Sequence, residues 1–221
     1  MRAALWHTDE FLRGSGPFDP HRPVSRPWWW LPLIVLCFAP LYGAFMGSFH
    51  LVSVLRLWQV VYSAAKVPLL LLATSLICMP AFFVANTILG LRRDFAEALQ
   101  AILAGQAALS ITLAACGPVT RFWYFSTDSY RAALLFNAGV FFVATLAGHG
   151  VMLRYYRPLI RRHHHHRLAL YGWLALYMFV GIQMGWTLRP FVGSPNSPTT
   201  FFRQEPFSNA YVVVARLLVG S

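Results

Sequence analysis

The run His163-His164-His165-His166 is the densest set of metal-ligating side chains in the chain, since neutral imidazoles bind zinc, copper and nickel. It sits among Arg154, Arg157, Arg161, Arg162 and Arg167, and such a mixture needs only to be a solvated stretch facing lipid headgroups. His149 and His50 are the other conceivable ligands for a metal or haem, but they are expected near opposite membrane faces and so make poor partners for one ion. Cys37, Cys78 and Cys116 fall inside apolar runs with no CxxC spacing and read as small buried hydrophobes. No GxSxG elbow, HExxH, Walker or GxGxxG pattern occurs. Neither a catalytic residue nor a bound cofactor is expected, and the chain does not read as an enzyme.

A different set of side chains is polar within apolar surroundings: Thr74, Ser75, Asn86, Gln106, Ser110, Thr112, Asn137, Thr145, His149 and Gln183. Hydrogen bonding between helices is their ordinary use, at about 0.6–2 kcal/mol each. Asn86, Asn137, His149 and Gln183 are the candidates for a polar pathway or for helix contacts, with Asn86, His149 and Gln183 expected toward the cytoplasmic ends of their helices. The central parts of the expected helices hold no Asp, Glu, Lys or Arg, which argues against a carrier built on a membrane carboxylate.

The elements that must position these groups follow from composition. Of 221 residues, 57% are hydrophobic and 11% charged, against about 45–50% and about 25% in a soluble domain. A water-soluble core does not account for that balance. There are 18 Lys plus Arg against 7 Asp plus Glu, and every basic residue but Lys66 is arginine. The arginines cluster between apolar runs, where they set topology and meet anionic lipid, and no basic helix or RNA-binding motif points to nucleic acid.

Apolar stretches long enough to cross a hydrocarbon core about 30 Å thick predict five transmembrane helices, over about 31–49, 68–89, 98–118, 132–153 and 168–188. Pro40 and Pro80 predict kinks, and Gly43 with Gly47 forms a small-xxx-small pair suited to a helix contact. The interrupted stretch 50–67, with His50, Arg56, Gln59 and Lys66, reads as an amphipathic helix lying along the interface. The fold class expected is therefore an all-α membrane bundle of five helices with one interfacial helix. Residues 1–27, which carry Asp9, Glu10, Asp19 and several prolines, form a cytoplasmic segment, 28–188 the membrane domain, and 189–221 an ordered extracytoplasmic tail. Orientation comes from the arginines. Arg2, Arg13, Arg22 and Arg26, Arg92 and Arg93, and the five around the histidines share one side and outnumber the basic residues on the other. The positive-inside rule then places the N-terminus in the cytoplasm of a bacterial inner membrane.

The tail carries the most individual wording: Gly185-Trp186-Thr187-Leu188-Arg189-Pro190-Phe191-Val192-Gly193-Ser194-Pro195, then Phe201-Phe202-Arg203, then Ser208-Asn209-Ala210-Tyr211. It resembles a family of bacterial integral membrane proteins of about five helices with a GWxLRPFxGSP stretch after the last one. The resemblance implies a shared topology and carries no activity, substrate or catalytic residue. Arg189, Pro190, Phe191, Phe201, Phe202 and Arg203 offer surface for folding back on the bundle or for docking a partner. Two functions follow as expectations: a non-catalytic structural, assembly or accessory subunit with a membrane-protein partner or a second copy, or a transporter or channel component acting as an oligomer.

Overall fold

The computed structural model describes residues 29–49, 57–193 and 201–202. Within them the chain is all-helical, with no strand. The helices are α1 (Trp30–Gly47), α2 (Leu57–Ile88), α3 (Phe95–Phe125), α4 (Tyr130–Arg162) and α5 (His165–Thr187), with a 3-10 turn at Arg92–Asp94 between α2 and α3. All five are long and apolar enough to cross a membrane. At about 1.5 Å per residue, α2, α3 and α4, of 32, 31 and 33 residues, run well beyond the hydrocarbon thickness. The expected N-terminal segment 1–27, residues 50–56, Arg203 and the last part of the tail lie outside the described residues.

The interfacial helix expected over 50–67 is not a separate element where it is described: 57–67 continues without a break into the second crossing. The physical reason is a buried stripe. Gln59, Ser63, Lys66 and Val67 recur at helical spacing and are all buried against α1 and the segment after α5. Pro68 removes one backbone donor without ending the helix. The loops expected over 119–131 and 154–167 are also mostly helix, leaving turns at Ser126–Ser129 and His163–His164.

Local chemistry sets the ends. Gly90, at φ +75°, closes α2: its N–H donates to the Thr87 carbonyl at 3.1 Å and that of Leu91 to the Asn86 carbonyl at 2.7 Å. This is a Schellman cap, with Leu91 buried as its apolar partner. Ser129 caps α4, its side chain accepting from the Ala132 N–H at 3.3 Å.

Glycines set which helices touch. A Cβ on Gly148 would lie 2.7 Å from the Gly105 carbonyl oxygen, so α3 and α4 meet backbone to backbone. Gly43 and Gly47 do the same for α1 against Ser63, Ala64 and Gln59 of α2, the contact face their spacing predicts. Helix α3 packs on α1 and α4, α1 on α2, and α2 on α5, while α4 and α5 barely touch. The bundle is thus a horseshoe of helices with its gap between α4 and α5.

One end of the bundle gathers Arg92, Arg93, Arg157, Arg161, Arg162 and Arg167. There the histidine run departs from expectation. His163, His164 and His165 are exposed, but His166 is fully buried and its Nε2 lies 3.0 Å from an Asp94 carboxylate oxygen. Arg162 bonds Glu97 at 2.8 Å, so the turn between α4 and α5 is tied to the one between α2 and α3.

At the other end the tail segment docks. Val192 is buried in one core cluster with Phe49 and Tyr124. Ser63 donates to the Phe191 carbonyl at 2.5 Å and Lys66 Nζ to the Pro190 carbonyl at 2.6 Å. Lys66, with no solvent exposure and its Nζ 5.1 Å from the Phe201 ring centre, is a cation inside the second helix that the sequence reading assigned to the surface.

Candidate functional site

Inside the horseshoe, midway along the bundle, lies a cavity of about 460 Å³ walled by α2, α3, α4 and α5. Its size falls within the roughly 300–1,000 Å³ of small-molecule sites. Leu71 and Ile102 close its inner wall and are buried, whereas Met178 and Ile182 on its α5 wall are exposed. The opening is therefore lateral, between α4 and α5.

The Gly105–Gly148 crossing builds the polar part of this wall. Gln106 and His149 each follow one of those glycines, so the close approach of the two backbones sets them at the same level beside the cavity. Thr74 of α2 reaches it from across, its methyl 3.7 Å from where a Cβ on Gly181 would stand. Tyr177 of α5 brings its hydroxyl up to the Gln106 and Ser75 side chains. Four helices thus contribute polar groups to one level of an otherwise apolar chamber.

Hydrogen bonding there is incomplete. Thr74 is fully buried and Gln106 is 7% exposed, yet Thr74 Oγ1 and Gln106 Oε1 make no hydrogen bond within the chain. Buried polar atoms are nearly always paired, since an unmade bond costs roughly 1–3 kcal/mol. His149 Nδ1 lies 2.9 Å from the Thr145 carbonyl, which can only accept, so that nitrogen carries the proton and Nε2 is left as an acceptor in the neutral ring. Ser75, Ser110 and Thr112 instead return their hydroxyls to carbonyls of their own helices.

Of the residues singled out as a polar pathway, only His149 lines this cavity. Asn137 sits nearer the tail end, accepting from the Tyr42 hydroxyl at 2.8 Å and donating to the Tyr124 hydroxyl at 2.6 Å, a buried bridge among α1, α3 and α4. Asn86 lies in the last turn of α2, donating to the Phe82 carbonyl. Gln183 lies one turn before the end of α5, toward the tail end rather than the arginine end, and His149 is central in α4. Among the tail candidates, Arg189 stacks its guanidinium over Trp186, Pro190 and Phe191 offer carbonyls to α2, Phe201 meets the Tyr62 ring edge-on, and Phe202 is exposed.

His163 to His166 do not converge on one point, and the described residues contain no group of three or more His, Cys, Asp or Glu able to hold a metal ion. Sequence reasoning missed Tyr177 and Lys66. A tyrosine in the middle of an apolar helix, away from the interfacial belts where tyrosines gather, was the available signal for the first.

No family model, no curated protein and no solved structure matches this chain. What fold and site define, among the described residues, is a class: an all-helical bundle of five helices fit to cross a membrane, with a laterally open internal cavity.

Proposed function

We propose that the protein is a non-catalytic subunit of the bacterial inner membrane that takes a lipophilic small molecule from the bilayer into the cavity between α4 and α5. The observation that carries the reading is the lateral opening of an apolar chamber between two helices that scarcely touch. Lipid-phase ligands reach such a site sideways, without crossing water. The accessory role rests on the same gap: α5 is held mainly by α2, and Leu168 and Tyr171, which do not line the cavity, are left apolar and exposed for the bilayer or a membrane partner. An N-terminus in the cytoplasm is supported by the arginines gathered at the end where α1 begins.

Transport of a polar solute has weaker support. The cavity is overwhelmingly apolar, Asn137 is engaged by two tyrosines, and Asn86 lies elsewhere.

The test is purification in mild detergent followed by mass spectrometry of bound small molecules, comparing the natural chain with Gly181→Leu. Nothing but the Thr74 methyl lies within 4 Å of a Cβ at Gly181, so the leucine extends into the cavity. The natural chain is expected to retain a stoichiometric lipophile and the variant, equally monodisperse, to lose it. Retention of the same compounds by both, or of none by the natural chain, would overturn the reading.

A further inference from the structure

The gap between α4 and α5 leads from the cavity to the arginine end, where the turn His163–His164 joins the two helices. We propose that the ligand is an anionic phospholipid with one acyl chain inside the chamber and its phosphate head at that turn, an inference that rests on the cavity being a ligand site at all.

Helical spacing joins the two places. Leu174, Met178 and Gly181 line the cavity from α5, and Arg167 lies seven residues before Leu174 on the same side of the helix. Their separation along the axis is about 10 Å. One acyl chain covers that distance, since two of them end to end span a hydrocarbon core of about 30 Å. On α4, Arg157 stands eight residues beyond His149, which also lines the cavity. Arg157, Arg167 and the intervening His163, His164 and His165 are all exposed. Asp94 and Glu97 are taken by His166 and Arg162, and neither Arg157 nor Arg167 pairs with a carboxylate among the described residues. The mouth of the gap is therefore left positive, with guanidinium groups that suit phosphate oxygens and imidazoles that can donate to them.

Charge also decides which way the ligand lies. No Asp, Glu, Lys or Arg lines the chamber. An ionised head inside it would lose its hydration with no opposite charge in return. At the tail end Lys66 is buried on the Pro190 carbonyl and Arg189 stacks over Trp186. Only the arginine end sets exposed cations at the mouth of the gap itself. The second acyl chain stays in the bilayer, against Met178 and Ile182 at the exposed edge of the opening.

The experiment uses the full chain in detergent and three lipids with the same acyl chains, phosphatidylglycerol, phosphatidylcholine and diacylglycerol, with bound lipid counted by native mass spectrometry. Phosphatidylglycerol is expected to bind roughly twentyfold more tightly than diacylglycerol, two arginines near the head contributing about fivefold each, with phosphatidylcholine between them. Arg167→Gln should weaken phosphatidylglycerol about fivefold and leave diacylglycerol unchanged, whereas Gly181→Leu should weaken both. Arg92→Gln, on the turn between α2 and α3, should change neither by more than about twofold, and inorganic phosphate should displace none of the lipid. Equal binding of phosphatidylglycerol and diacylglycerol, equal losses in Arg92→Gln and Arg167→Gln, displacement by inorganic phosphate, or phosphatidylglycerol binding indifferent to Gly181→Leu overturns the inference. The cavity reading then stands as long as diacylglycerol is lost in Gly181→Leu. Binding of all three lipids that persists unchanged in that variant, or binding of none, removes both. A partner helix crosslinked within the cavity walls in native membranes would also displace the lipid as occupant.

Discussion

The contrast between Asn137 and Asn86 shows how little a residue type reveals without its surroundings. Both are buried asparagines in apolar helices. Asn137 gives the Tyr42 hydroxyl its acceptor and donates to Tyr124, linking three helices. Asn86 bonds the carbonyl one turn back on its own helix, and its Oδ1 has no partner. Asn137→Leu is therefore expected to destabilise the bundle by roughly 1–3 kcal/mol, because the buried Tyr42 hydroxyl loses its acceptor and Tyr124 loses a donor. Asn86→Leu, which removes an atom already unpaired, should cost less than Asn137→Leu. Chemical unfolding in detergent micelles measures both, and equal losses would show that the tyrosine bridge adds nothing. The polarity of the two asparagines was legible in the sequence. Which of them joins helices was not, because that depends on partners 95 residues away.

At the scale of the element, helix identity was legible from apolar length, and the extents were not. Three helices run past their apolar centres into charged and aromatic stretches, Val119–Phe125 on α3 and Arg154–Arg162 on α4 among them. Backbone hydrogen bonding favours continuing a helix until a turn signal intervenes, and the signals that act are Gly90, Ser129 and the histidine run. The joint between α3 and α4 belongs to this scale. Gly148→Leu should separate the two helices, costing about 1–3 kcal/mol as an overpacked contact and weakening ligand retention, since Gln106 and His149 lose their alignment. Gly150→Leu, where nothing lies within 4 Å of the added atom, is expected to fall within about 0.5 kcal/mol of the natural chain. Melting in detergent distinguishes them, and comparable losses would place the joint elsewhere.

For the molecule as a whole, the arginine end and the tail end make the orientation testable. With Cys37, Cys78 and Cys116 replaced by serine, one new cysteine is placed at Thr127, in the turn between α3 and α4, or at His164, in the turn between α4 and α5. A membrane-impermeant maleimide added to spheroplasts should label Thr127→Cys and spare His164→Cys until the membrane is opened. The reverse pattern would invert the assignment of the N-terminus to the cytoplasm. The same architecture leaves α5 lightly held: it is tied to the rest mainly by α2 and by the His166–Asp94 contact at its start.

The sequence by itself determined the solvent and the class of structure, because hydrophobic length is a local property: five apolar runs with arginines between them can only be a bundle of membrane-length helices. It also showed that polar side chains lie within those runs. Only the tertiary structure decided which of them meet. Thr74, Gln106, His149 and Tyr177 come from four helices, and what sets them around one chamber is the backbone contact at Gly105 and Gly148 together with the gap between α4 and α5. Such contacts depend on the packing of residues far apart in the chain, and no run of neighbouring residues encodes them. Lys66 makes the same point, since beside Arg56 and Gln59 it reads as interfacial, and it is buried because the chain returns after α5 to place the Pro190 carbonyl within its reach.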